Sequence, residues 1–393
     1  MMTETYSPPR ISLLQLFLRF LRFGCLAFGG PVAQIAMVKQ ALVEEDRWIS
    51  PVRFNRLLAV MQVLPGPEAH ELCVHLGMVA RGRIGGLLAG LGFMLPGFVL
   101  MLGAAWLYKD WIFSNPAMAP VFLGVQIAVL AIILRAVQRI GTHILEDRLL
   151  WLLAAASLGA TLLGVPFWLP LISAGLFYSF ATRPAIIASV LVVAILLAYL
   201  TSDAAPVVKA NIAVSEAGVI ALFIAGLKGG LLTFGGAYTA IPYVRADTVG
   251  RGWLSDGSFL DGVALAGMLP APLVIFATFA GYVAGGFPGA VAITVGMFLP
   301  AFAFSMVFFE RLEAVVENPA LHNMLAGVAA AVVGVIAATW LQFGQSTAQR
   351  ATDLGSSALI FAAALWVVWR WKGKLAAPAI IFVSGAAGWW LNL

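Results

Sequence analysis

Charge is scarce in this chain: Asp, Glu, Lys and Arg make up 10% of its 393 residues, against 62% hydrophobic. No stretch is polar enough to form the surface of a water-soluble domain, so composition points to a polytopic integral membrane protein. Cysteine is nearly absent as well. Cys25 and Cys73 both fall in apolar segments without metal-ligand spacing, which leaves them as small buried hydrophobes. A Walker A element is missing, so ATP is not the energy source in this chain. No nucleophile stands beside a base, which places an intramembrane enzyme far behind a transport reading, whether a reductase on the two cysteines or a hydrolase on His70 and Glu71. The net charge of +5 does not indicate nucleic acid, because the basic residues punctuate apolar helices instead of clustering on a soluble face.

What the chain does have is long apolar runs, near 84–108, 121–140, 185–200 and 320–343, each able to cross about 30 Å of hydrocarbon. The first apolar segment carries Arg19 and Arg22 in its middle and no small-residue cleavage site follows, so it is a membrane element and not a signal peptide. The sequence also repeats itself. Phe28-Gly29-Gly30 recurs as Phe234-Gly235-Gly236, Trp48 as Trp253, Pro65 and Pro67 as Pro270 and Pro272, and Leu95-Pro96 as Leu299-Pro300. The offset drifts from 206 through 205 to 204 and then, at Asn115-Pro116 and Asn318-Pro319, to 203. Single-residue loop deletions leave such a monotonic drift, so one ancestral unit is used twice. The expected fold is an all-α integral membrane protein of two repeats, residues 1–184 and 215–393, with a linking helix and loop over 185–214.

Coarse segmentation gives nine segments before the second copy and eight within it, the unmatched one being 185–200. Several early segments are too short to cross and are read as arms of re-entrant hairpins. An odd number of crossings then inserts the second copy upside down, giving inverted-topology repeats with broken helices at the midplane. Basic residues agree: with the N-terminus cytoplasmic, fifteen lie inside and five outside, which sets the C-terminus in the periplasm.

Each copy opens with a helix that stops at Gly29-Gly30-Pro31 or Gly235-Gly236 and then resumes. Backbone amides freed at such a break cannot face lipid, so the breaks require a polar cavity, and a restarting helix offers an anion its positive dipole end. Pro65-Gly66-Pro67-Glu68 and Pro270-Ala271-Pro272 interrupt the later segments in the same way. Arg22 and Lys228, each six residues ahead of its Phe-Gly-Gly triplet, fall roughly 16 Å deep, where a lone cation asks for an anionic ligand or an internal partner such as Glu68. Glu68, His70, Glu71 and His75 follow the first Pro-Gly-Pro and have apolar counterparts in the second copy. Glu68 and His70 are candidates for proton coupling; helix capping or pairing with Arg22 is the plain reading of Glu68, and a core role that of the histidines.

Taken together, Phe28-Gly29-Gly30-Pro31 with Pro65-Gly66-Pro67-Glu68, and Phe234-Gly235-Gly236 with Pro270, Pro272 and Thr278-Phe279-Ala280-Gly281-Tyr282, resemble the long-chain chromate ion transporter family. That resemblance implies a multi-pass protein of the bacterial cytoplasmic membrane that exports chromate, with sulfate as the look-alike. No cofactor and no enzymatic activity are expected, and lipid and the oxyanion are the expected partners, with a homodimer left open. The matching positions Phe28, Gly29, Gly30, Pro31, Pro65, Gly66, Pro67, Glu68, Phe234, Gly235, Gly236, Pro270 and Pro272 would be functional. Ala271 departs from the Pro-Gly-Pro pattern, and its methyl group disfavours positive φ, so an asymmetric site is expected. Sulfate uptake on the same scaffold, and a channel, are the competing transport readings.

Overall fold

The computed structural model describes residues 11–63, 66–112, 115–202, 217–233, 236–308, 319–371, 373 and 375–393, and among these every regular element is helical. The first copy supplies α1 (Leu13–Cys25), α2 (Gly30–Lys39, continued by a wider turn over Gln40–Glu45), α3 (Pro51–Val63), α4 (Glu68–Leu107), α5 (Ala119–Ile144), α6 (Arg148–Leu162) and α7 (Trp168–Ser179). A lone helix, α8 (Pro184–Ser202), follows. The second supplies α9 (Val219–Leu231), α10 (Ile241–Thr248, preceded by a tight turn over Ala237–Ala240), α11 (Asp256–Met268), α12 (Phe276–Ala303), α13 (Pro319–Arg350), α14 (Leu354–Arg370) and α15 (Ala376–Trp390).

Equivalent positions start and break the helices of both copies. Ser50 Oγ accepts the Arg53 amide at the start of α3, and Ser255 Oγ accepts the Ser258 amide at the start of α11. Asp147 caps α6 as Asp353 caps α14. Inside α4 the backbone leaves the helix at Arg81 (φ −144°, ψ 31°) and Gly82 (φ 60°, ψ −160°), and inside α12 at Gly285 (−145°, 21°) and Gly286 (62°, −158°). Only glycine tolerates the second of these conformations, which fixes the residue type at both places. The chain reverses there. A methyl group on Gly77 would strike Gly85, one on Gly281 would strike Gly289, and the Thr278 and Thr294 hydroxyls lie 2.7 Å apart across the second reversal. The two segments that the sequence separates near 81–84 and 285–287 are therefore the arms of helical hairpins, closed by small residues that let two backbones touch.

The copies exchange their C-terminal pairs. α1 lies on α4 and α9 on α12, but α6 and α7 pack on α13, while α14 and α15 pack on α5. Contacts between α4 and α12, and between α5 and α13, complete the centre. Glycine again sets the distance: a side chain on Gly124 would meet the Ser384 carbonyl, and one on Gly327 the Ala174 carbonyl. Large apolar side chains including Trp151, Leu163, Ile220, Leu359 and Phe382 stay exposed around the outside, a surface suited to lipid. Among the described residues, four helical stretches are long and apolar enough to cross a membrane: Glu68–Trp111, Ala119–Ile144, Leu273–Val307 and Asn323–Arg350. In the first and third of these the hairpin reversal leaves the longer arm to cross.

Candidate functional site

The Pro-x-Pro tip of each copy is hydrogen-bonded to the helix break of the other. At one contact the Gly66 amide donates to the carbonyl oxygen of Thr233 (2.8 Å), the residue just ahead of Phe234. At the other, the buried Gln34 amide Nε2 donates both to Ala27 (2.8 Å), just ahead of Phe28, and to Ala271 (2.9 Å) at the second tip. The sequence-predicted groups are thus brought into two contacts between the copies, Gly66-Pro67-Glu68 with the break that ends at Gly236 and Phe28-Gly29-Gly30-Pro31 with Pro270-Pro272, which together form the junction. Pro65, Phe234 and Gly235 lie outside the described residues.

The junction has uncapped helix starts and room beside them. Gly29 (φ 89°), Gly30 (φ 77°) and Gly236 (φ 125°) all have positive φ, and no atom lies within 4 Å of where a side chain on Gly30 or Gly236 would begin. The starts at Gly30, Glu68, Ala237 and Leu273 carry no side-chain cap, as is also true of α5, α7, α9 and α15, whereas those of α1, α3, α6, α11 and α14 are capped by Ser12, Ser50, Asp147, Ser255 and Asp353. Uncapped first-turn amides at the positive end of a helix are the chemistry that binds an oxyanion.

Size is matched across the two tips. Gly66, at φ +146°, leaves room for Ala301 of α12 and for the Glu71 carboxyl, and Ala271 at the other tip faces Gly97 of α4. Gly97 and Ala301 are equivalent positions, so the copies have swapped glycine and alanine between tip and partner. Gly66 uses a glycine backbone conformation and Ala271 does not, and the expected asymmetry of the tips takes this form.

The charged residues are less symmetric. Lys228 Nζ lies 3.2 Å from the Asp247 carboxylate, which Arg251 also approaches at 3.2 Å. Arg22 stands exposed in the last turn of α1, and no ion pair joins it to Glu68 among the described residues. The cation whose field reaches Glu68 is Arg139 of α5, and the same guanidinium acts on Tyr238 beside the second break. Glu68 is 8% exposed in the first turn of α4. His70 is wedged between the Phe298 and Phe302 rings, with centroids at 4.9 and 4.8 Å. Glu71 is fully buried beside Gly66, with no hydrogen-bond partner for either carboxylate oxygen.

Sequence reasoning missed Gln34 and Thr233, because a single side chain or carbonyl bridging 237 or 167 positions leaves no periodic trace. It also missed Arg139 as a partner of Glu68, and Asp261, a buried acid in the second copy. Asp261 puts a buried acid in the second copy as well, and Cys25, exposed on α1, is not the buried hydrophobe the sequence suggested, whereas Cys73 is buried. Among the described residues no group of His, Cys, Asp and Glu could hold a metal ion.

Fold and junction together define a multi-pass membrane protein built from a duplicated helical unit, in which each glycine-lined helix break contacts the proline tip of the other copy. The family model described as chromate transporter matches residues 14–180 and 220–389, one stretch per copy, and the chain belongs to that family. It is 58% identical to the chromate transport protein of Pseudomonas aeruginosa, over 97% of this chain and 93% of that one. It is 30% identical to the chromate transport protein of Cupriavidus metallidurans (98% and 94% covered) and 32% to a probable chromate transport protein of Synechococcus elongatus (97% and 96%). No solved structure matches.

Proposed function

We propose that this chain is a secondary transporter that carries chromate out of the cytoplasm across the bacterial inner membrane. The observation that carries the reading is the double crossing of tips and breaks, Gly66 to Thr233 and Gln34 to Ala271, around uncapped helix starts and open glycines. A tetrahedral dianion fits such a cradle because several amides can share its charge while no cation has to be stranded in hydrocarbon when the site empties. Arg22, Lys228 and Arg139 supply the surrounding positive field. The two repeats, 1–184 and 215–393 joined through 185–214, insert with opposite orientation, N-terminus in the cytoplasm and C-terminus outside, and their hairpins re-enter at the junction. Rocking of one copy against the other exposes the cradle to each side in turn.

Direction follows from charge. A dianion leaving a cell that is negative inside gains about 4.6 kcal/mol at 100 mV. The arm that carries Arg53 and Arg56 in the first copy carries Ser258 and Asp261 at the equivalent positions of the second, 205 residues on. Arg53 and Arg56 therefore gather an anion at the first copy's mouth. Glu68, with His70 behind it, is the carboxyl placed to couple protons to this movement.

Radiolabelled chromate uptake into inverted vesicles under an imposed potential, with excess sulfate as competitor, tests the proposal. Accumulation above empty vesicles, reduced in Arg22→Gln, supports export, and the degree of sulfate competition ranks the two dianions. Absence of accumulation under both potential and proton gradient sinks the assignment.

A further inference from the structure

Away from the junction, a polar cavity of about 300 Å³ lies where α4 ends, α5 and α11 begin and α13 ends. Asn115, Gln126, Ser255, Ser258, Asp261 and Arg350 line it. Asp261 is 3% exposed. Its carboxylate accepts the Tyr108 hydroxyl at 2.8 Å and Gln126 Nε2 at 2.7 Å, and the same Nε2 reaches the Gly257 carbonyl at 3.4 Å. Three neighbouring elements contribute the polar and charged groups that face Asp261. The end of α4 gives Tyr108, α5 gives Gln126, and α13 gives Arg350, whose charge acts on both Asp261 and Tyr108. From its own helix, Ser258 faces Tyr108 and shares a 3.0 Å contact with Ser255. Among the described residues no Lys or Arg forms an ion pair with Asp261.

A buried carboxylate held only by neutral donors has a protonated alternative close at hand. Gln126 Oε1 is buried and has no hydrogen-bond partner. Turning the amide over would present that oxygen to a protonated carboxyl, so one residue pair satisfies both charge states, donating to the anion and accepting from the acid. The cavity brings water to the carboxyl.

We propose that Asp261 is a proton-binding site loaded from this cavity, with Gln126 turning over as the proton arrives. Resting on the transport reading, the consequence for chromate is a gate of charge: with Asp261 neutral, Arg350 dominates the cavity and favours an oxyanion leaving the junction, and with Asp261 ionised the two charges offset.

The test uses wild-type protein in membrane vesicles, treated with a hydrophobic carbodiimide across a pH series and read by mass spectrometry of the peptide carrying Asp261. Labelling should be present in acid and fall as pH rises. Tyr108→Phe removes a donor to the anion, so its midpoint should move up by about one pH unit. Asp261→Asn should retain chromate movement with a flattened response to pH on the cavity side. No labelling from about pH 4 to pH 9, or labelling indifferent to pH, overturns the proposal. So does a wild-type pH response in Asp261→Asn. Should wild-type vesicles move no chromate, the transport reading fails while the labelling still decides the proton site; should Asp261→Asn fail to fold, the wild-type labelling decides alone.

Discussion

The two copies of the unit share backbone dihedrals at their reversals, yet they are held very differently. In the first copy the short helices α2 and α3 belong to a separate apolar cluster running from Leu16 to Phe93, packed on α1 and α4. In the second, α10 and α11 join the main core, and α11 rests on α5, α13 and α4. Polar contacts follow the same division. Arg245 forks onto Asp256 at 2.7 and 3.0 Å, donates to Gln342 at 2.6 Å and covers the Phe343 ring. Among the described residues its counterpart Lys39 has only an exposed pairing with Glu44 at 3.9 Å. Duplication thus preserved the hinges and breaks, which depend on glycine, and let the surroundings diverge. The short helices of the second copy are tied to the interleaved frame, and those of the first chiefly to α1 and α4 of their own copy.

The closest backbone contacts should respond alike in both copies and respond most. A side chain on Gly296 strikes Phe223 as one on Gly92 strikes Phe17. Gly296→Val and Gly92→Val should each cost at least about 3 kcal/mol, seen as lost folded protein in detergent; tolerance of either would break the equivalence of the α9–α12 and α1–α4 pairs. Next come the tips. Gly66→Ala should cost about 2 kcal/mol and most of the transport, since its φ and the Glu71 carboxyl both oppose a methyl group. Gly97→Ala should be harmful alone and largely rescued by Ala271→Gly, a coupling that a double-mutant cycle on thermal stability measures directly.

Smaller effects separate the copies. Arg245→Ala should lose about 2 kcal/mol, because both charges are only about one-fifth exposed (21% and 20%), while Lys39→Ala should lose under about 0.5 kcal/mol. Equal melting temperatures for the two variants would remove the distinction between tied and untied copies. Least of all is the cap of α6. The Tyr178 hydroxyl (2.7 Å) and the Leu150 amide hold the Asp147 carboxylate below the usual range. A depressed folded-state value stabilises above about pH 4 and fades as pH falls through it. Asp147→Asn, which keeps a capping oxygen, should lack that acid-side decline in a pH series of melting curves.

Much of this architecture is written in local signals. The Phe-Gly-Gly breaks, the proline tips and the monotonic offset identify a duplicated helical membrane protein, because glycine and proline constrain the backbone wherever they stand. The reversals at Gly82 and Gly286 were legible as segment boundaries and short segments were read as hairpin arms, but which arms touch is revealed only by the packing of Gly77 on Gly85 and Gly281 on Gly289. The exchange of α6–α7 and α14–α15 between copies has no signature in uniformly apolar helices. Partners of the charged residues were the least readable. Lys228 finds Asp247 on α10, and Asp261 finds Tyr108 across 153 positions of sequence, through tertiary geometry alone.

The central claim is that equivalent positions of the two copies face opposite sides of the membrane. Ser50 and Ser255 cap equivalent helices, so Ser50→Cys and Ser255→Cys, each in a Cys25→Ser, Cys73→Ser background, can be probed with a membrane-impermeant maleimide. The account predicts labelling of the first only in inverted vesicles and of the second only in right-side-out vesicles. Labelling of both from the same side would contradict it.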